Sequence, residues 1–236
     1  MSIPAWFVTG TDTEIGKTLV TCALLHGLGR RGLRAAGMKP FAAGMEWRGD
    51  GWHNEDVDAI AAAASLSLPR ALTTPFLLRD AAAPHLAAAG EGIALRIAPV
   101  LDCYRQAAAQ ADAVVVEGVG GFCVPLNEEE DTADLAQQLA LPVIMVVGLR
   151  LGCLSHALLT AQAVAARGLT LAGWVANTVD AGMRHLDANV ESLAARLPAP
   201  LLGRIPRLAA PSPAEAAAHL DFARLPGWPQ GRPGHH

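Results

Sequence analysis

The residues best suited to chemistry lie between Gly10 and Thr18, after a short apolar segment and before residues of helical spacing. Gly16, Lys17 and Thr18 are the residue types with which a phosphate-binding loop ends. Backbone N–H groups of such a loop, and the dipole of the helix that follows it, attract phosphate oxygens. In such a loop Lys17 reaches the β- and γ-phosphates and Thr18 binds Mg²⁺ through its hydroxyl. Five residues separate Gly10 from Gly16, where four are usual. A chance glycine-bearing turn is therefore the alternative.

A carboxylate follows the apolar run at residues 114–116. Glu117 at the end of a buried strand can reach Mg²⁺ directly or through water. The glycines that follow, among them Gly118 and Gly120, let the backbone approach a ligand closely. The alternative is an acid that is only solvated at a strand end. A phosphate-binding loop in the same chain favours the metal role.

Lys39 follows a weaker apolar segment at residues 33–38. Ligands of open α/β folds bind at the carboxyl edge of the sheet, where this side chain is expected. Apart from Lys17 it is the only lysine in the chain. A compact ammonium suits a transferring phosphoryl group better than a planar guanidinium does. A solvated surface lysine is the alternative.

Two further positions have open interpretations. Asp56 belongs to an acidic run, residues 55–58, which either begins a helix and suits its dipole or binds metal. Asn177 ends an apolar run with an amide that suits the edge of an adenine ring, or it forms a turn. The residues alone do not separate these alternatives.

The elements that must position these side chains alternate between short apolar runs and helical patterns. This alternation predicts an α/β fold with a mostly parallel central sheet and helices on both faces. We expect residues 1–225 to form one P-loop domain and residues 226–236 a loose C-terminal tail. The irregular stretch 67–92, with three prolines, is predicted to be a loop over a site. Strands are predicted at 6–8, 33–38, 114–116, 143–147, 171–176 and 201–205.

Composition excludes several classes of protein. The chain has 236 residues, of which 52% are hydrophobic and 17% charged, so it can bury a core. The chain has no dense basic stretch, so we expect no nucleic-acid partner. The longest apolar run, residues 139–149, is too short to span a membrane. The four cysteines lack metal-ligand spacing and the first residues do not resemble a secretory signal, which predicts a cytoplasmic protein with reduced thiols.

Taken together, these motifs resemble the dethiobiotin synthetase family. The similarity covers roughly residues 5–210, with segments at 10–18, 37–40, 117–121, 151–156 and 173–177 in the family's order. It implies a homodimer that uses ATP, Mg²⁺, CO₂ and 7,8-diaminopelargonate in biotin biosynthesis. A substrate amine takes up CO₂ as a carbamate, which is phosphorylated by ATP. The neighbouring amine then closes the ureido ring and releases phosphate.

The resemblance also assigns roles to residues. Lys17, Lys39 and Thr13 are the catalytic set, and Thr18, Asp56 and Glu117 hold Mg²⁺. The positions assigned to the nucleotide are Glu14, Ile15, Gly16, Lys17, Thr18, Asp56, Glu117, Gly118, Val119, Gly120, Asn177, Thr178, Pro206, Arg207 and Leu208. Those assigned to the other substrate are Ala43, Gly152, Cys153 and Ser155. The turn at Gly152 and Cys153 is expected to receive the substrate's distal carboxylate from the partner subunit.

Two substrate-side positions depart from the family's pattern. Ala43 stands where a serine is common, and Ser155 where an asparagine is often found. Three other interpretations compete. A partitioning-type switch ATPase carries a second lysine at the position of Asp12, and an amidotransferase-linked synthetase is longer and has a glutaminase portion. An inactive paralogue is disfavoured because Lys17, Thr18, Lys39, Asp56 and Glu117 are all present.

Overall fold

The structure is a computed structural model that describes residues 3–229. Its strands are β1 (Ala5–Gly10), β2 (Ala35–Met38), β3 (Phe41–Ala43), β4 (Glu46–Trp47), β5 (Trp52–His53), β6 (Phe76–Leu78), β7 (Ala113–Glu117), β8 (Val143–Leu149), β9 (Leu171–Thr178) and β10 (Leu201–Ile205). Six of them form the central sheet in the order β10-β9-β8-β1-β7-β2, and every neighbouring pair is parallel. The strands β3 and β6 form a small parallel pair, and β4 and β5 an antiparallel hairpin.

Helices cover both faces of the central sheet. They are α1 (Lys17–Gly29), α2 (Glu55–Ala63), α3 (Arg70–Thr73), α4 (Pro84–Glu91), α5 (Ile97–Ala108), α6 (Thr132–Leu139), α7 (Cys153–Ala166), α8 (Leu186–Ala194) and α9 (Pro213–Ala218). Alternate residues of β1 enter opposite cores: Phe7 packs with α4 to α8, whereas Trp6 and Val8 pack with α1, α2 and α9. The predicted fold class is therefore confirmed.

The parallel arrangement brings the ends of four strands to one edge of the sheet. Strand β1 runs into the P-loop, and β2 ends one residue before Lys39. Strand β7 ends at Glu117, whose Cα pairs with that of Val8 on β1. Strand β9 ends at Thr178, directly after Asn177. Residues far apart in sequence thus meet at the carboxyl edge, as in other open α/β sheets.

The predicted loop at residues 67–92 is instead partly regular structure. It contains α3, β6 and α4, and only the connections between them are irregular. Two of the three prolines that suggested a loop mark helix starts, since Pro69 precedes α3 and Pro84 is the first residue of α4, and Pro75 precedes β6. Proline is favoured at the first helical position, where Pro84 lies, because its missing N–H would have no partner inside the helix.

The described part of the predicted tail packs against the domain. Trp228 is 5% exposed, and its ring centroid lies 4.5 Å from that of Phe222 and 5.4 Å from that of Trp6. The guanidinium of Arg31 lies 5.3 Å from the same ring. Residues 226–229 therefore differ from the loose segment expected there, and residues 230–236 lie outside the described part of the chain.

Candidate functional site

The P-loop connects β1 to α1 through two residues with left-handed backbone conformation. Glu14 has φ 58° and Gly16 has φ 86°, and α1 begins immediately afterwards at Lys17. Glycine adopts this conformation without the strain that a Cβ would introduce. The Lys17 ammonium donates to the Asp12 carbonyl at 2.8 Å, across the curve of the loop. The segment thus has the concave backbone shape that binds phosphate at a helix N-terminus.

Four polar side chains converge beside Lys17. The Thr18 hydroxyl lies 2.6 Å from Asp56 Oδ1 and 2.9 Å from Glu117 Oε1. The Lys39 ammonium donates to Glu117 Oε1 at 2.5 Å and to Asp56 Oδ2 at 2.9 Å. Helix α1, helix α2 and the ends of β2 and β7 each contribute one of these groups.

This cluster fits a magnesium ion. A hydroxyl has one hydrogen, so Thr18 can donate fully to only one of the two carboxylates beside it. Glu117 Oε2 is buried and has no hydrogen-bond partner among residues 3–229. Thr18, Asp56 and Glu117 would hold the ion, which in proteins commonly takes one or two carboxylates together with phosphate oxygens and water. The described residues contain no group of three or more His, Cys, Asp or Glu side chains that could hold a metal by themselves.

Asn54 positions Asp56. Its side chain accepts a hydrogen bond from the Val57 N–H at 3.2 Å and so caps α2. The same amide donates to the carbonyls of Ala43 and Gly44, at 3.1 and 2.8 Å. The first turn of α2 is thereby fixed against the end of β3, with Asp56 directed at Thr18 and Lys39. Asn54 therefore caps the helix that the acidic run begins, and Asp56 of that run joins the polar cluster.

The charges in the cluster shift one another's proton affinity. Burial alone lowers the pKa of Lys39, but the attraction of Glu117 and Asp56 outweighs it and raises that pKa above its ordinary value. Burial and the nearby charge of Lys39 lower the pKa of Lys17 to about 8. Burial raises the pKa of Asp56, and the Lys39 charge with the Thr18 hydrogen bond outweighs it to give a lowered value. Lys39 and Asp56 are therefore both charged at neutral pH.

A cavity of about 750 Å³ opens in front of the cluster. Of the predicted site residues, it is lined by Thr13, Glu14, Ile15, Gly16, Lys17, Thr18, Lys39, Ala43, Asp56, Val119 and Gly120. Glu117 lies behind it, fully buried, and Lys39 connects it to Gly118 by donating to the Gly118 carbonyl at 3.3 Å. Residues 81–84 and Gly121 also line it, within the stretch 67–92 that was predicted to lie over a site and the glycine segment 117–121, whereas Ala42, Asn54 and Val124 were not predicted as site residues.

The residues predicted at the adenine do not line this cavity. Asn177 is buried beneath the P-loop, where its amide donates to the Ile15 carbonyl at 2.8 Å. Thr178 follows it at the end of β9. Pro206, Arg207 and Leu208 follow the neighbouring strand β10. The adenine contact itself stays a prediction.

The predicted carboxylate-binding turn is separate from the cavity. Gly152, with φ 95°, precedes α7, Cys153 is buried, and Ser155 is exposed. None of the three lines the cavity. Arg150, two residues before Gly152, forms an ion pair with Asp12 of the P-loop. This pair joins residues 138 positions apart, and no local sequence pattern indicates it.

Comparison with known proteins agrees with this geometry. A family model described as an AAA domain matches residues 5–215. The ATP-dependent dethiobiotin synthetase BioD of Janthinobacterium sp. (strain Marseille) is 63% identical over 228 residues, which are 95% of this chain and 97% of that protein.

Solved structures at low identity share the fold alone. The septum site-determining protein MinD of Pyrococcus horikoshii OT3, complexed with Mg-ADP, has a TM-score of 0.53 at 18% identity and covers 95% of this chain and 89% of its own. The signal recognition particle receptor FtsY of Elizabethkingia anophelis, in complex with GDP, has a TM-score of 0.53 at 14% identity. That match covers 91% of this chain, which spans 59% of the receptor. From the sequence match over nearly its whole length, the chain belongs to the family of ATP-dependent dethiobiotin synthetases.

Proposed function

We propose that the chain catalyses the reaction for which its family is named. ATP, CO₂ and 7,8-diaminopelargonate give dethiobiotin, ADP and phosphate in biotin biosynthesis. The observation that carries this proposal is the convergence of Thr18, Lys39, Asp56 and Glu117 beside Lys17 at the inner wall of one cavity. A helix N-terminus, two ammonium groups and a magnesium site together suit the alignment of several anions.

The P-loop residues are proposed to hold the nucleotide phosphates. The N–H groups from Gly16 onward and the dipole of α1 attract phosphate oxygens, and the Lys17 ammonium leaves the Asp12 carbonyl to reach the β- and γ-phosphates. Thr18, Asp56 and Glu117 hold Mg²⁺, which neutralises phosphate charge when bound. Glu14, Ile15, Val119, Gly120, Thr178 and residues 206–208 remain proposed nucleotide contacts.

Lys39 is proposed to bring the carbamate and the γ-phosphoryl group together. The carbamate forms when one substrate amine adds to CO₂. Its oxygen attacks the γ-phosphorus and ADP leaves, then the second amine attacks the carbonyl carbon and phosphate leaves. No protein nucleophile is needed, so the enzyme's contribution is orientation and charge compensation. Lys39 and Lys17 supply the positive charges, and Thr13, at the cavity wall, orients the diamine.

The carboxylate end of the diamine is proposed to bind a second copy of the chain. Gly152, Cys153 and Ser155 at the start of α7 lie outside the cavity of their own chain. Leu151 beside them is 95% exposed and Leu159 is 60% exposed, which is unusual for large apolar side chains. A homodimer would cover these leucines and present the N-terminus of α7 to an anion.

A cytoplasmic location is proposed as well. The four free cysteines fit a compartment in which thiols stay reduced.

The experiment measures ATP turnover by the purified chain with Mg²⁺ and bicarbonate, with and without 7,8-diaminopelargonate. We expect phosphate release that depends on the diamine, and one ureido-ring product, identified by mass spectrometry, for each phosphate released. ATP hydrolysis indifferent to the diamine, with no ring product, would contradict the proposal.

Two variants serve as controls in the same assay. Lys39→Met removes an ammonium from the cluster and is expected to lower product formation at least about 100-fold. Arg105→Ala removes an exposed ion pair with Asp102 on α5, neither of which lines the cavity, and is expected to keep wild-type activity. Equal activity of the two variants would refute the role of Lys39.

A further inference from the structure

The side chain of Asn177 lies directly beneath the P-loop. Its Nδ2 donates to the Ile15 carbonyl at 2.8 Å, and the side chain is buried. A Cβ built on Gly16 would lie 2.3 Å from the same nitrogen, so the contact requires glycine at that position. The end of β9 is therefore in direct contact with the peptide between Ile15 and Gly16.

This hydrogen bond fixes the direction of a second backbone group. The Ile15 carbonyl and the Gly16 N–H belong to one planar trans peptide, in which the two groups point in opposite directions. With the carbonyl held by Asn177, the N–H points away from Asn177. Gly16 lines the cavity, and its N–H has no hydrogen-bond acceptor within residues 3–229. It is therefore available to a phosphate oxygen.

The peptide needs such a constraint because Gly16 lacks one of its own. Glycine adopts positive and negative φ with similar ease, so this peptide could rotate and turn its carbonyl toward the cavity. A carbonyl oxygen there would repel a phosphate. The Ile15 side chain is anchored separately: it is buried, and a Cβ on Gly148 would lie 2.5 Å from its Cγ2. That packing holds the side chain, whereas Asn177 holds the peptide plane.

We propose that Asn177 is a positioning residue, which keeps the Gly16 N–H directed at the phosphate site before a nucleotide binds. The proposal rests on the proposed function and deepens it. One hydrogen of Nδ2 serves Ile15, while the other hydrogen and Oδ1 remain for the predicted contact with adenine. The same amide thus links the base to the shape of the P-loop.

The test compares a ligand that has a base with one that has none. Dissociation constants for MgATP and for inorganic tripolyphosphate with Mg²⁺ are measured by calorimetry on the full chain. Asn177→Ala is expected to weaken tripolyphosphate binding about tenfold, the value of one buried hydrogen bond. MgATP binding weakens by at least the same factor. A role in adenine recognition alone predicts weaker MgATP binding and unchanged tripolyphosphate binding, which would overturn the proposal.

Two further variants distinguish this effect from a general loss of structure. Asn177→Asp keeps the shape of the side chain but places an oxygen against the Ile15 carbonyl, so it should weaken tripolyphosphate binding at least as much as Asn177→Ala. Asn189→Ala removes a comparable amide-to-carbonyl bond, to His185 on the surface, and should leave both dissociation constants unchanged. Wild-type affinity for tripolyphosphate in Asn177→Asp would refute the positioning role.

The wild-type chain provides the remaining comparison. If it forms the ureido-ring product and binds tripolyphosphate, the proposed function stands and the variants decide the role of Asn177 alone. If it forms product yet does not bind tripolyphosphate, the loop is not held ready for phosphate and the positioning role is refuted. If the wild-type chain forms no diamine-dependent product, the result contradicts the proposed function instead.

Discussion

The ammonium of Lys39 lies 2.5 Å from Glu117 Oε1, and both side chains are buried. They stand at the carboxyl ends of β2 and β7, which are neighbours in the sheet. A buried ion pair stabilises a fold little, because removing two charges from water costs about as much as their attraction returns. We infer that this pair serves the site more than the stability of the fold. Lys39 also binds Asp56, and Glu117 also accepts from Thr18, so the two charges belong to one hydrogen-bonded cluster at the cavity.

The first prediction concerns this pair and stability. Lys39→Met leaves Glu117 buried without its partner, so we expect a loss of about 3–5 kcal/mol in the free energy of unfolding. The double variant Lys39→Met/Glu117→Gln removes both charges and should recover part of that loss. Urea unfolding measures both, with Arg204→Ala as a surface pair expected to cost less than about 1 kcal/mol. Additive losses in the double variant would show that the two charges are not coupled.

A second prediction concerns the magnesium ligand from α1. Thr18→Val keeps the shape of the side chain and removes the hydroxyl, so the Mg²⁺ concentration for half-maximal ATP turnover should rise at least about tenfold. Thr18→Ser keeps the hydroxyl and should change that concentration much less. Thr21→Val is the matched control on the same helix, since its buried hydroxyl has no partner in the described residues. An equal effect of the valine variants at both positions would exclude a metal role for Thr18.

The central part of the fold was predictable because its signals are local. Apolar runs such as residues 114–116 and 143–147 indicate strands buried on both faces, and both lie inside observed strands. The small strands β3 to β6 have two or three residues each, which is too short to show an alternation of apolar and polar residues in the sequence. Helix α6 had a readable signal that we did not use, a capping box formed by Asp131 and Asp134.

The site was predictable where a motif carries it and not where tertiary contacts do. The P-loop spacing and the strand-end residues Lys39 and Glu117 follow from sequence order on a parallel sheet. The Asn177 amide donates to a carbonyl 162 positions away, a contact that depends on how β9 packs beneath the loop. Asp56 is intermediate: its acidic run was visible, but only the fold of α2 selects it from its neighbours.

A third prediction follows from the lowered pKa of Lys17. Burial and the Lys39 charge lower it to about 8, so near pH 8 about half of the free protein carries this ammonium protonated. Bound phosphates favour the charged form and raise the pKa. MgATP binding should then take up about half a proton near pH 8, and progressively less as the pH falls below about 7.

Calorimetry in buffers with different ionisation enthalpies measures this proton uptake. Lys17→Arg is the control, because a guanidinium stays protonated throughout this range and should show no uptake. Uptake that is independent of pH, or equal in the wild type and Lys17→Arg, would assign the proton to another group.

A fourth prediction concerns the departure at Ala43, which lines the cavity at the end of β3. Ala43→Ser adds the hydroxyl that the family commonly has there. One added hydrogen bond should lower the KM for 7,8-diaminopelargonate about two- to tenfold and leave the KM for ATP unchanged. Ala62→Ser on the exposed side of α2 should change neither value. A higher KM for the diamine would indicate that Ala43 instead makes room for the substrate.

The last prediction tests whether the segment after residue 225 belongs to the domain. Trp228 packs on Phe222, Trp6 and Arg31, at the far end of α1 from the P-loop. Trp228→Ala opens a cavity in this core, so we expect the free energy of unfolding to fall by about 3–5 kcal/mol, with kcat/KM unchanged for the folded enzyme. Trp47→Ala removes a ring that is 61% exposed and should cost less than about 1 kcal/mol. Urea unfolding and steady-state kinetics on both variants decide the point, because equal stabilities would mean that the ring of Trp228 contributes no more than a surface side chain.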